Sequence, residues 1–98
     1  MSLYEKIQSD IKESMKAKDS LRTNTLRSVV AAVKNFLVSS EDARKEELTD
    51  DTVMSFVAKE VKRREESIEA YSKAGREDLV EQETREMEIL KKIGRAHV

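Results

Sequence analysis

The chain has 98 residues, of which 38% are hydrophobic and 40% are charged, and it contains no cysteine and no proline. This length allows a single domain with a small core, and the lack of cysteine excludes disulfides, thiolate nucleophiles and thiolate metal sites. Two glycines are too few for a phosphate-binding loop, and a net charge of −1 creates no overall field that attracts nucleic acid. Any nucleic-acid role must therefore rest on a local basic patch.

The first half of the chain predicts two amphipathic helices. Ser2 and Glu5 form a capping box ahead of apolar residues that recur every four positions, which indicates a helix over about 3–18. Apolar residues with i, i+3, i+4, i+7 spacing indicate a second helix over about 21–38.

The second half predicts a long helix and a fourth helix with a weaker pattern. A polar connector at 39–48 leads to Thr49, a good N-cap, and to a third helix over about 50–74 that ends at Gly75. The fourth helix is expected over about 77–92. The predicted fold is all-α, a small bundle of four helices with a long third helix.

Residue types reveal no catalytic set. His97, the single histidine, lies in the terminal tail, so neither a Ser-His-Asp arrangement nor a histidine metal cluster is expected. Carboxylates are dense at 81–88, but metal-binding four-helix bundles pair glutamate with Glu-x-x-His, and the predicted helices contain no histidine. We therefore predict no catalytic residue, no metal ligand and no small-molecule cofactor.

The start of the chain gives an expectation of location. It lacks the charged region followed by an apolar run that marks a secretory signal, and no stretch approaches the roughly 18 apolar residues of a membrane span. The absence of cysteine fits a reducing compartment. A cytoplasmic protein without membrane association is expected.

The densest charged feature lies in the middle of the third predicted helix, where the apolar spacing breaks at Arg64 and a surface polar on every side is expected. Lys59, Lys62 and Arg63 share one helical face with Glu66, and three cations there could bind phosphates. The alternative is ordinary helical ion pairs, each worth about 0.2 to 0.5 kcal/mol. Spacing alone favours this alternative. The pairs would be Glu60–Arg64, Lys62–Glu66 and Arg63–Glu66.

The second predicted helix carries further cations. Arg27 and Lys34 lie beside a stripe of small side chains that includes Asn35, and they could extend the basic surface. They could equally lay their aliphatic stems over the core, which is the commoner role for such a placement.

A long segment of the chain resembles a known family. Residues 59–90, KEVKRREESIEAYSKAGREDLVEQETREMEIL, closely resemble the YqeY family, and 3–18, 26–35 and 47–51 agree with it. The resemblance covers 1–92. It implies a GatB/YqeY-type helical domain, related to the part of the tRNA-dependent amidotransferase B subunit that lies beyond its catalytic cradle and helps to hold tRNA.

In that amidotransferase the chemistry is carbon-nitrogen ligation, in which glutamine supplies the nitrogen that converts Glu-tRNA or Asp-tRNA to the amide. The cradle that activates the carboxylate is absent from this chain, so ligase activity is implied by kinship alone. The resemblance implies an accessory domain that associates with tRNA or with an amidotransferase complex; the alternative is a non-catalytic helical protein-interaction module. The implied contacts are Lys59, Lys62, Arg63, Ser67, Arg27, Lys34 and Asn35.

The family pattern breaks at Ile93, where members pass into a Tyr-Leu-Pro turn and a smaller C-terminal helical part. The hexapeptide at 93–98 matches one reading frame of a common short-read sequencing adaptor that continues into a stop codon. We therefore interpret 1–92 as the N-terminal-type helical domain of the family, with its C-terminal part missing, and 93–98 as a non-native tail. The fourth helix is then expected to fray after about Leu90.

Overall fold

The computed structural model describes residues 2–39 and 48–97, which form four helices and no strand. The connector predicted for 39–48 falls mainly outside the described residues. The predicted all-α fold of four helices with a long third helix is confirmed. The helices are α1 (Leu3–Lys16), α2 (Ser20–Ser39), α3 (Asp50–Lys73) and α4 (Glu77–His97).

Local polar contacts set most helix ends. The side chains of Ser2, Asp19 and Thr49 each accept a hydrogen bond from the backbone N–H three residues later, at 3.1, 3.1 and 3.2 Å, which satisfies donors that the first turn leaves free. Lys18 and Gly75 adopt φ values of 58° and 72°, so the chain turns out of α1 and α3 in the left-handed conformation. The N-caps predicted at Ser2 and Thr49 are confirmed by these hydrogen bonds.

One apolar core holds the four helices together, and each helix contributes two residues to it. The burial of this strip explains why the four amphipathic segments fold together, since helices of this length gain most of their stability from packing. The core residues are Leu3, Ile7, Leu26, Val29, Val53, Val57, Leu90 and Ile93.

The fourth helix extends further than the sequence predicts. α4 reaches His97 rather than ending at about 92 or fraying after Leu90. Ile93 lies one turn beyond Leu90 on the same face and is buried in the core. The next residue, Gly94, lies so close to α3 that an added Cβ would approach Met54 Cε to 3.2 Å. Packing against α3 therefore supports the extra turn, and the predicted helix end is wrong.

A charged pair is buried between the helices at the middle of α3. Arg64 is 7% exposed and Glu60 is 8% exposed, and Arg64 Nη1 donates to the Glu60 carboxylate. Arg64 Nη2 donates to Ser28 Oγ of α2 at 3.3 Å and lies 3.9 Å from Glu86 Oε1 of α4. The expectation that α3 is polar and solvated on every side at Arg64 is wrong, because α2 and α4 cover that side chain.

The carboxyl of Glu86 is the third member of this cluster. Its burial raises its pKa above the ordinary value of 4.5, and the nearby Glu83 raises it further, whereas the positive charge of Arg64 lowers it. The Glu86 carboxylate is thus less stable in the folded protein than in water, despite the guanidinium beside it.

Replacement of Glu60 by leucine tests the buried pair. We expect Glu60→Leu to lower the free energy of unfolding by about 3 kcal/mol, because the change leaves the buried guanidinium without the carboxylate that accepts its hydrogen bond. Glu60→Leu combined with Arg64→Met should recover most of that loss, since an apolar replacement of a whole buried pair is close to neutral. Urea denaturation measures both values, and a double variant no more stable than Glu60→Leu would contradict the coupling.

Replacement of Glu86 by glutamine tests the raised pKa. The folded protein holds the Glu86 proton more tightly than the unfolded chain, so this group's contribution to stability falls as the pH rises from about 4.5 through the folded-state pKa. We expect Glu86→Gln to be more stable than the wild type at pH 7, with a difference that disappears near pH ~4. Thermal melts across this range measure it, with Glu65→Gln as the control for loss of an exposed carboxylate. An unchanged difference at all pH values would refute the prediction.

Candidate functional site

The α2 helix carries basic residues and no acidic ones. Its 20 residues include Arg22, Arg27 and Lys34 and no aspartate or glutamate, although the chain contains 20 acidic residues. Arg27, Lys34 and Asn35 are exposed along it. This helix is therefore a local region of positive charge in a chain that is close to neutral.

Two contacts define how α2 lies against α3. Arg64 Nη2 is 3.3 Å from Ser28 Oγ, and two turns along both helices the rings of Phe36 and Phe56 pack with their centroids 5.4 Å apart. Because the residue number rises along α2 as it falls along α3, the two helices run antiparallel. The same two contacts fix their relative register.

Helical periodicity then places part of the predicted site on one flank of this helix pair. Relative to the contact line, Asn35 on α2 and Lys59 and Arg63 on α3 fall on the flank opposite α4, and all three are exposed. Lys59 Nζ lies 5.4 Å from the ring centroid of Phe56. The structure therefore brings these three predicted residues to one surface.

The other predicted residues lie at its borders. Arg27 and Lys34 are further round α2, where they line a groove between α2 and α1. Lys62 lies at the outer edge of the α3 face and lines a different groove, between α3 and α4. Ser67 lies one turn beyond Arg63 and is partly buried. The seven residues thus surround α2 and α3 rather than forming one cluster.

The alternative interpretation by ion pairs is only partly realised. Glu60 pairs with Arg64 inside the bundle, and Arg63 Nη1 lies 3.9 Å from Glu60 Oε1 rather than beside Glu66. Within the described residues, no ion pair joins Lys62 to Glu66. The exposed cations of α3 are therefore weakly compensated and can meet an external anion.

The sequence analysis did not include Lys12 among the predicted site residues. Lys12 of α1 lies in the same groove as Arg27 and Lys34. Its position there depends on how α1 packs on α2, and the spacing of residues within α1 does not determine that packing.

The described residues hold no group of three or more histidine, aspartate or glutamate side chains arranged for a metal ion. No helix in the described ranges is long and apolar enough to cross a bilayer. The described surface offers an acid-free α2 and, beside it, Lys59 and Arg63 of α3, which stand among exposed carboxylates such as Glu66. Exposed cations of this kind can bind an anion.

Relatives of this chain are named as mitochondrial proteins. The protein named altered inheritance of mitochondria protein 41, mitochondrial, from Kluyveromyces lactis is 38% identical over 84 residues, which are 86% of this chain and 44% of the relative. Proteins of the same name from Lachancea thermotolerans and Pyrenophora tritici-repentis are 36% and 32% identical, over 87% of this chain and 44% and 45% of their lengths. The chain spans less than half the length of these relatives.

These names correct the expected location. A cytoplasmic protein was predicted from the start of the chain and the absence of cysteine, and that prediction is wrong, since the relatives that match most of the chain are named as mitochondrial. The physical reason is that the aligned residues form the folded domain. Their composition reports a core and solvated faces, and it does not encode a compartment.

The family is shown by the length of the match. A family profile described as Yqey-like protein matches residues 4–93, which include most of each of the four helices and every predicted contact residue. The profile and the relatives cover the same bundle, including the cations of α2 and α3. The chain therefore belongs to the YqeY-like protein family, and its four helices form a GatB/YqeY-type domain.

Proposed function

We propose that this domain is an accessory RNA-binding unit that holds the phosphate backbone of a tRNA, in the manner implied by its resemblance to the amidotransferase B subunit. The observation that carries the proposal is the acid-free helix α2 with Lys59 and Arg63 of α3 on its exposed flank. Lysine and arginine are the usual partners of phosphate oxygens, and their contacts position a protein on a nucleic acid.

The charge distribution supports a local mode of binding. The net charge of −1 provides no long-range attraction, so the affinity must come from a few phosphates neutralised at this face. Such binding weakens steeply as salt rises, because each neutralised phosphate releases counterions.

The aromatic residues indicate what the RNA presents. All four aromatic side chains, Tyr4, Phe36, Phe56 and Tyr71, are partly buried, so none forms an open platform on which unpaired bases could stack. The face therefore suits the backbone and shape of folded RNA better than an unstructured strand. The proposed role is to hold the RNA, while amide formation would belong to a partner enzyme.

Neutralisation of two cations on this face tests the proposal. We expect Lys59→Gln with Arg63→Gln to weaken binding to a tRNA transcript and to reduce the slope of log K against log salt by about 2, roughly one for each lost phosphate contact. The matched control is Lys6→Gln with Lys73→Gln, which removes the same charge from exposed positions away from this face. Fluorescence anisotropy over a salt series measures both slopes.

The outcomes separate three cases. Loss of affinity in the test pair alone supports the α2–α3 face. Equal loss in both pairs would show that only net charge matters, and no loss in either would show that these cations do not bind RNA. Poly(U) of the same length should bind more weakly than the tRNA, and equal binding would contradict recognition of folded RNA.

A further inference from the structure

A second exposed surface lies between α1 and α2. It is a groove of about 390 Å³. Ile11 of α1 and Val30 and Ala31 of α2 form an apolar floor along it. This floor runs parallel to the two helices and is continuous with the core beneath, which Ile11 and Val30 also contact.

The apolar strip continues beyond both ends of the groove. Met15 and Val38 are the large apolar side chains most exposed in the described ranges, at 53% and 68%. Met15 Sδ lies 3.5 Å from Nη2 of Arg27, at one end of the groove. Val38 lies one turn after Lys34 on the same stripe of α2, at the other end. Exposed side chains of this size in line with an apolar groove are typical of a protein-interaction surface.

The rim of the groove carries charge of one sign. Lys12 stands on the α1 side and Arg27 and Lys34 on the α2 side, and no carboxylate lines the groove. Within residues 2–39 and 48–97 none of these three cations forms an ion pair, whereas Arg22, just outside the groove, pairs with Asp10. Among the described residues, the rim is therefore positive and has no carboxylate paired to it.

The two walls are held in place from inside. The hydroxyls of Ser14 and Thr23 are buried and lie 2.7 Å apart, which ties the end of α1 to the beginning of α2. A preformed groove lowers the entropic cost of binding.

We propose that the α1–α2 groove binds an amphipathic helix of a partner protein, with its apolar stripe on the floor and its acidic residues facing Lys12, Arg27 and Lys34. From Arg27 to Val38 the strip is about 16 Å long at 1.5 Å per residue, which matches three turns of a bound helix. Electrostatic complementarity of this kind selects the partner and fixes its register.

Other occupants fit this surface less well. An RNA backbone gains nothing from an apolar floor and from Met15 and Val38. A second copy of the chain would have to supply an exposed apolar stripe with acidic flanks, and the exposed Met15 and Val38 of the described part lie on the basic groove itself. The proposal goes beyond the RNA-binding role and does not depend on it.

Three synthetic 15-residue peptides test the groove on the whole chain. The first carries a leucine stripe at i, i+3, i+4, i+7 flanked by glutamates, the second replaces glutamate by lysine, and the third is a scramble of the first. We expect the glutamate peptide to bind at least tenfold more tightly than the other two. Met15→Gln with Val38→Gln should reduce its affinity at least tenfold, and Ala70→Gln, at an exposed position of α3, is the control.

Each result decides the proposal. Because Met15 and Val38 are exposed, their replacement leaves the core intact, and circular dichroism confirms the helix content. Equal binding of the scrambled peptide would show that charge attraction alone explains the affinity, and it would overturn the proposal. Undetectable binding of the glutamate peptide, or full affinity for the double variant, would overturn it as well. Sedimentation that shows a dimer lost in the double variant would assign the groove to a second copy. We expect the double variant to bind tRNA like the wild type, because it keeps the cations of the RNA face. Failure of the peptide test can therefore be told apart from failure of the RNA proposal.

Discussion

The buried guanidinium of Arg64 is the contact on which the arrangement of three helices depends. It pairs with Glu60 on its own helix, donates to Ser28 on α2 and lies near Glu86 on α4. A buried ion pair of this kind adds little net stability, because the free-energy cost of removing both charges from water offsets their Coulomb attraction. Its effect is on geometry, since sliding α2 by one turn would take Ser28 Oγ away from Arg64 Nη2 and leave that buried N–H without its acceptor on α2. The register of α2 against α3 follows from it.

That register determines where the free charges lie. α4 packs on one flank of the α2–α3 pair and brings a dense group of carboxylates in its first half. The opposite flank keeps Asn35, Lys59 and Arg63 exposed, together with Glu66 and beside a helix without acidic residues. The proposed RNA face and the proposed peptide groove both border α2, and they differ in what accompanies the cations, polar surface in one and an apolar floor in the other.

Two errors of the sequence analysis share a cause. Arg64 was expected on a solvated surface because its helix breaks its own apolar period there, yet Ser28 and Glu86 satisfy it from other helices. The fourth helix was expected to end near residue 92, yet Ile93 finds the core and Gly94 fits against Met54. In each case the deciding partner comes from a different helix. The prediction of a cytoplasmic location was wrong for another reason, because the composition of a folded helical bundle does not determine its compartment.

The sequence by itself determined the number, order and N-terminal caps of the helices and the family, because caps such as Ser2 and Thr49 and an apolar period act between residues a few positions apart. It also supplied every cation of the two proposed surfaces. Only the tertiary structure decided which cations face one another. It placed Lys59 and Arg63 on the flank of α2, and it set Arg27 and Lys34 across a groove from Lys12. The direction in which a helical face points depends on the packing of other helices, and no spacing within one helix encodes it.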